Sequence, residues 1–136
     1  VKCDIAMPCA SQNEMDEAGA RALIANGCMA VFEGANMPLT PGAIEAVQGA
    51  GLLYSPGKAS NAGGVATSGL EMTQNSIRMS WTFEEVDEKL QSIMKSIYKA
   101  CYDASVECGR PGDLMLGANV AGFLKVAAAM MAQGVV

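Results

Sequence analysis

The sequence predicts an α/β fold built on a parallel sheet, and three observations lead there. Short apolar runs ending near Met7, Phe32 and Tyr54 are separated by stretches of helical length. Each run gives way to a segment of small residues and carboxamides, and after Lys58 helical patterns replace the strands altogether. Strand, helix, strand, helix, strand at this spacing is the rhythm of parallel strands joined by crossover helices.

Val1 to Met7 contains alternating polar and apolar positions and ends at a proline, which reads as a short strand. It opens at the first residue without cap, turn or leader, so the chain is expected to be cut from something longer. A helix is predicted from about Glu14 to Asn26, with Ala18, Ala22 and Ile24/Ala25 on its apolar side and Gly27 in a left-handed cap. Met29 to Phe32 is apolar and bounded by Glu33-Gly34, the pattern of a buried strand. Thr40-Pro41 caps and starts a helix that runs to about Gln48, before Gly49 and Gly51. Leu52, Leu53 and Tyr54 form a third strand, stopped by Ser55-Pro56-Gly57.

Asn61 to Thr67 is a small-residue stretch leading into a helix through Met79. Thr82 with Glu85 three residues on makes a capping box, and Val86, Leu90, Ile93, Ile97, Cys101 and Ala104 follow at helical spacing. Gly109 to Gly112 is a loop, and Asn119 to Ala132 a last, Ala-rich helix closed by Gly134. The fold expected is therefore a partial doubly wound, Rossmann-like parallel sheet of about three strands followed by three helices. Doubly wound sheets usually have five or more strands, so the others would lie before Val1. Residues 1–136 read as one unit, about 1–60 forming the βαβαβ half and 61–136 a helical extension.

Composition narrows the function classes. Hydrophobic residues make up 51% and charged residues only 17% of the 136, which predicts that much of the surface is covered by other chain or other subunits. A net charge of −5 with nine scattered Lys and Arg argues against nucleic acid, which calls for clustered cations. The weakly charged stretches are broken by Asn, Gln, Pro and Gly, so none is expected to reach the length of a membrane span. No basic start precedes an apolar run, hence no signal peptide is read. Five irregularly spaced cysteines read as free thiols of a reducing compartment, which places the protein in the cytoplasm. Histidine is absent, so no zinc set can be assembled.

Ligands of open parallel sheets bind beyond the carboxyl ends of the strands. The segments there are Pro8-Cys9-Ala10-Ser11-Gln12-Asn13, Glu33-Gly34-Ala35-Asn36, and Ser55-Pro56-Gly57-Lys58 leading to Asn61-Ala62-Gly63-Gly64. Carboxamides offer donors and an acceptor to a neutral polar ligand, and glycine permits close backbone approach. The plainer alternative is that Asn36 and Asn61 stabilise turns through their own backbones. Gly51 to Lys58 is no phosphate loop, because that motif needs Gly at 52 and Ser or Thr at 59, where Leu and Ala stand. The glycines at 63–64 lack the spaced three-glycine dinucleotide fingerprint. Cys9 sits where a thiol is easily activated, yet no histidine exists to serve as its base. Glu84, Glu85, Asp87 and Glu88 read as solvated helix charge, and the ten methionines as adaptable packing.

Read together, Asp4-Ile5-Ala6-Met7-Pro8-Cys9-Ala10, Gln12-Asn13-Glu14, Glu33-Gly34-Ala35-Asn36-Met37-Pro38, Pro56-Gly57-Lys58-Ala59, and Asn61 through Met72 closely resemble the glutamate dehydrogenases. Gln74-Asn75, Ser80-Trp81, Glu85-Val86-Asp87, Gly117 through Phe123, and Met131-Ala132-Gln133-Gly134 extend the likeness over nearly the whole chain. The pattern is similar to the small-subunit hexameric type of bacteria, and to its carboxy-terminal segment. The resemblance implies reversible deamination of L-glutamate to 2-oxoglutarate and ammonium, with hydride passed to NAD or NADP. It implies that Asn36 contacts the nicotinamide ribose and Asn61 the carboxamide, with Pro8, Cys9, Ala10 and Gln12 lining the cofactor crevice. Val65 would pack against the aliphatic part of glutamate, and Ser68 would donate to its side-chain carboxylate.

The same resemblance implies what this stretch lacks. The substrate domain with its lysines, the catalytic aspartate and the glycine-rich phosphate loop belong to other parts of such enzymes. No catalytic residue is therefore assigned, and the 136 residues alone are expected to be inactive. The expected partners are the remainder of the chain and a homo-oligomer, a hexamer at full length, with neither nucleic acid nor membrane. The last helices would return towards the substrate domain. A stand-alone binding or assembly module on the same half-fold is the alternative, and a dehydrogenase of apolar amino acids is disfavoured by Ser68.

Overall fold

The computed structural model describes residues 1–134, so the last two positions of the expected unit, 135 and 136, lie outside the described residues. Three parallel strands, β1 (Ile5–Ala6), β2 (Ala30–Phe32) and β3 (Leu53–Ser55), stand in the order β1-β2-β3. Helices α1 (Glu17–Ala25) and α2 (Pro41–Gly49) form the two crossovers. The helical half then follows as α3 (Gly57–Ser60), α4 (Ala62–Ile77), α5 (Phe83–Glu107) and α6 (Leu114–Gln133).

β1 is shorter than the strand predicted over 1–7, because Ile5 and Ala6 alone find ladder partners, in Ala30 and Val31. α1 begins at Glu17 rather than Glu14. The chain before it stays extended: Met15 bridges to Leu39, and Asp16 is the cap, accepting from the Gly19 N–H at 2.9 Å. The buried face also differs from the predicted one, since Ala20 and Leu23 enter the core while Ala18, Ala22 and Ala25 are exposed. Alanines carry too little area to set a helix's rotation, and Leu23 decides it. Gly27 takes the left-handed conformation expected of it, with φ 81°. Thr40 accepts from the Ala43 N–H at the start of α2, with Pro41 at the first helical position.

β3 is displaced by one residue from the predicted 52–54, and its pairing with β2 fixes which side chains turn inward. In register, Ala6, Val31 and Tyr54 form one row and Ile5, Ala30 and Leu53 the next. Val31 and Tyr54 belong to the core with Ala20, Leu39, Ala43 and Val47, beneath α1 and α2. Each buried Val there contributes about 1.5–3 kcal/mol over leaving it in water. The neighbouring row is open only at its ends: Ile5 is 53% and Leu53 50% exposed, with Ala30 buried between them. A parallel sheet normally buries both faces, and this one is only partly covered on its second face.

Four helices follow β3 rather than the three predicted. The Ser55-Pro56-Gly57 stop is also the start of the one-turn α3, and Asn61 to Thr67 is helical from Ala62 onward. Thr82 and Glu85 close the predicted capping box of α5. α6 begins at Leu114, five residues before the predicted start, with Asp113 accepting from the Leu116 N–H at 2.9 Å. Its first turns matter most for packing: Leu114 and Ala118 join Ala59 and Cys101 in a second core. Gly117 lies against the Cys101 backbone carbonyl, where any Cβ would collide with it. The earlier start makes α6 long and apolar enough, by length and composition alone, to cross a membrane, contrary to the sequence expectation. Asn119 and Gly122 had broken the run on paper, but a continuous helix carries them within it.

Candidate functional site

The loops after the three strands are laced together at the carboxyl edge of the sheet. After β1, buried Pro8 turns its carbonyl towards β2's loop, where it accepts from the N–H groups of Gly34 at 2.9 Å and Ala35 at 3.0 Å. Gly34 sits so close to the Cys9 thiol that a Cβ there would collide with Sγ. Farther out, the Asn13 N–H donates to the Met37 carbonyl at 2.9 Å, and the Met15 N–H to that of Pro38 at 3.0 Å. Asn13 and Met37 both have positive φ, 56° and 54°. The strain of a left-handed methionine, about 1–2 kcal/mol, is held by these crossing bonds.

The third loop is fixed to the second through Glu33, the first residue beyond β2. Only 4% exposed, Glu33 accepts the Gly57 N–H on Oε2 at 2.7 Å, and its backbone carbonyl accepts the Ser60 hydroxyl at 2.5 Å. Its second oxygen, Oε1, has no partner among the described residues. Tyr54 lies beside the carboxylate, and burial together with that neighbour pushes its hydroxyl well above the ordinary phenol range. A Cβ at Gly57 would stand 2.7 Å from the Ala35 carbonyl, so glycine is the residue that lets the loops approach. One residue past α3, the Asn61 amide donates to the Asn36 side-chain oxygen at 2.7 Å and to the Ala35 carbonyl at 3.4 Å.

Between these loops and the start of α4 lies an open crevice of about 630 Å³, lined by Cys9, Ala10, Ser11, Gln12, Gly34, Ala35, Asn36, Asn61 and Val65. Six of the eight residues singled out from the sequence therefore line one space: Cys9, Ala10, Gln12, Asn36, Asn61 and Val65. Pro8 stands behind the wall as a backbone anchor. Ser68 is not on the wall; it is exposed about one turn farther along α4, its hydroxyl donating to the Gly64 carbonyl at 3.3 Å. Asn61 makes no side-chain cap for α4; its amide instead ties the end of α3 to the loop after β2. Sequence reasoning missed Glu33, taken only as a strand boundary, although an acid directly after a buried apolar run was its signal.

The chemistry of the lining is narrow. It presents carboxamides, one hydroxyl, one thiol and backbone, with no charged side chain, so it suits a neutral polar group better than a phosphate. A planar amide and a sugar hydroxyl match such donors and acceptors. No acid–base pair faces the space. Among the described residues, no group of three or more His, Cys, Asp and Glu comes near enough together to hold a metal ion.

Comparison with known proteins gives a consistent result. The family described as Glutamate/Leucine/Phenylalanine/Valine dehydrogenase matches residues 1–134. A glutamate dehydrogenase of Bacteroides thetaiotaomicron is 63% identical over 135 residues, 99% of this chain and 30% of that protein. An NAD(P)-specific glutamate dehydrogenase of Xylanibacter ruminicola is 62% identical over 98% of this chain and 30% of its own length. The crystal structure of Plasmodium falciparum glutamate dehydrogenase superposes with a TM-score of 0.97 at 50% identity, over all of this chain and 29% of that one. The chain thus spans about 30% of the length of the curated relatives it matches.

Proposed function

The chain belongs to the glutamate/leucine/phenylalanine/valine dehydrogenase family, and from that premise we propose that it is the carboxy-terminal, cofactor-side part of a glutamate dehydrogenase that uses NAD or NADP. The observation that carries this reading is the convergence of Cys9–Gln12, Gly34–Asn36 and Asn61–Val65 on one uncharged crevice at the carboxyl ends of parallel strands. The parallel sheet is, in this reading, half of a doubly wound dinucleotide-binding domain. Residues 1–60 supply most of the crevice and Asn61 and Val65 complete it, while the helical half that begins at 61 returns towards a substrate domain elsewhere in the subunit.

When bound, the nicotinamide would accept the hydride that leaves the α-carbon of L-glutamate. Asn61 would hold its carboxamide, Asn36 its ribose, and the Pro8–Gln12 turn the side of the cleft. Val65, 74% exposed at the crevice rim, would cover the aliphatic part of the substrate. Ser68, one turn away, would leave its weak bond to Gly64 and donate to the side-chain carboxylate. A buried carboxylate demands donors, and an apolar substrate would leave that hydroxyl unmatched. Proton transfer and carboxylate-binding cations would come from outside these residues. The subunit would assemble as a hexamer in the cytoplasm, without membrane or nucleic acid. The high identity to relatives named as glutamate dehydrogenases favours this substrate over leucine, phenylalanine or valine.

The test is substrate selectivity in the full-length gene product, whose subunit, scaled from the first relative, has about 450 residues (135/0.30). It should oxidise L-glutamate with a nicotinamide cofactor, while the 136 residues alone should not. Ser68→Ala should lower kcat/KM for glutamate by about thirtyfold, the loss of one hydrogen bond to a charged group at about 2 kcal/mol. Turnover of norvaline, which has no side-chain carboxylate, should change by less than threefold. Equal losses on both substrates would remove Ser68 from the specificity pocket.

A further inference from the structure

Among the described residues, Glu33 is the one buried carboxylate, and nothing in the proposed chemistry uses it. It lines no part of the crevice, yet it grips the segment that ends in Asn61 at two points: Oε2 accepts the Gly57 N–H and the backbone carbonyl accepts the Ser60 hydroxyl. The Asn61 N–H in turn donates to the Gly57 carbonyl at 2.9 Å, so the gripped turn delivers Asn61 directly. On the other side, Gly34 and Ala35, the next two residues after Glu33, are pinned to the Pro8 carbonyl, and Asn36 follows. Glu33 therefore stands where the two segments bearing the crevice carboxamides meet. Burying a carboxylate is costly, and here the cost is offset by the bond that Oε2 makes to the Gly57 N–H.

We propose that Glu33 is a positioning residue for cofactor binding, setting the distance between Asn36 and Asn61 by anchoring the Gly57–Asn61 turn to the end of β2. This rests on the reading of the crevice as the nicotinamide site. The carboxylate acts through the reach of its oxygen to the Gly57 N–H. Glutamine keeps that reach without the charge, and aspartate keeps the charge but is one methylene short.

The experiment compares Glu33→Gln and Glu33→Asp with the parent in the full-length dehydrogenase, by steady-state kinetics with the nicotinamide cofactor and L-glutamate. Glu33→Asp should raise the KM for cofactor tenfold or more, with the KM for glutamate within twofold, and Glu33→Gln should recover cofactor KM to within threefold of the parent. Hydrogen exchange read by mass spectrometry on peptides covering 57–64, without cofactor, should rise in Glu33→Asp and stay at the parental level in Glu33→Gln. An unchanged cofactor KM in Glu33→Asp, a loss in Glu33→Gln equal to that in Glu33→Asp, or general unfolding of Glu33→Asp would each overturn the assignment. A parent that binds no nicotinamide nucleotide would overturn the function reading instead, and an exchange pattern that separates the two variants would still show the anchor.

Discussion

At the scale of single residues, burial makes Tyr54 the clearest reporter of the core. Its phenol is 4% exposed, and its ionisation is pushed up by burial first and by the Glu33 carboxylate second. An unfolded tyrosine ionises near pH 10, the folded one only far above it, so the unfolded chain releases this proton first as pH rises. The stability Tyr54 contributes is thus complete below pH 10 and declines above it, by up to about 1.4 kcal/mol per pH unit. Urea unfolding at pH 9 and pH 11 should show that decline in the parent and a smaller one in Tyr54→Phe; identical slopes would mean the hydroxyl is not shielded. Asn36 and Asn61 were readable from sequence because their value depends on position after a strand, which local pattern reveals. Glu33 was not, because its partner is an amide 24 residues away that only the folded sheet brings near.

At the scale of elements, local chemistry predicted ends better than faces. The caps at Thr40 and Thr82 stand as read, since a hydroxyl followed three residues later by a free N–H is a local event. The rotation of α1 and the early start of α6 were hidden because both depend on what the helix packs against. For α6 the deciding residue is Gly117, pressed on the Cys101 carbonyl. Gly117→Ala must push α5 and α6 apart, although alanine favours helix by about 1 kcal/mol. Overpacking of a backbone contact costs about 1–3 kcal/mol, so a net loss of stability is expected. Gly122→Ala, where a Cβ meets nothing, should be neutral or stabilising. Chemical denaturation of the two variants checks this, and the expectation fails if they behave alike.

At the scale of the whole molecule, apolar surface outruns what the chain can cover. Ile5 and Leu53 look out from the partly covered sheet face, and Val65, Met72, Phe123, Val126, Met130 and Met131 from α4 and α6. No residue of the sixteen in α4 is buried. Composition had foretold an under-covered surface, but which faces it would occupy depended on strand register, which only the folded sheet sets. The isolated 136 residues should therefore associate with themselves, giving sedimentation that depends on concentration, and Phe123→Ser with Met131→Ser should reduce it. A monomer at all concentrations would mean these faces are wetter than their residues imply. The exposed apolar side chains also turn maturation into a race between reaction orders. Docking by a tethered partner is first order and proceeds at one rate however many copies are made. Pairing with a stranger's apolar surface is second order and accelerates with every copy synthesised. Yield of usable protein should then fall as expression is driven harder, unless the covering segment is joined to the same polypeptide.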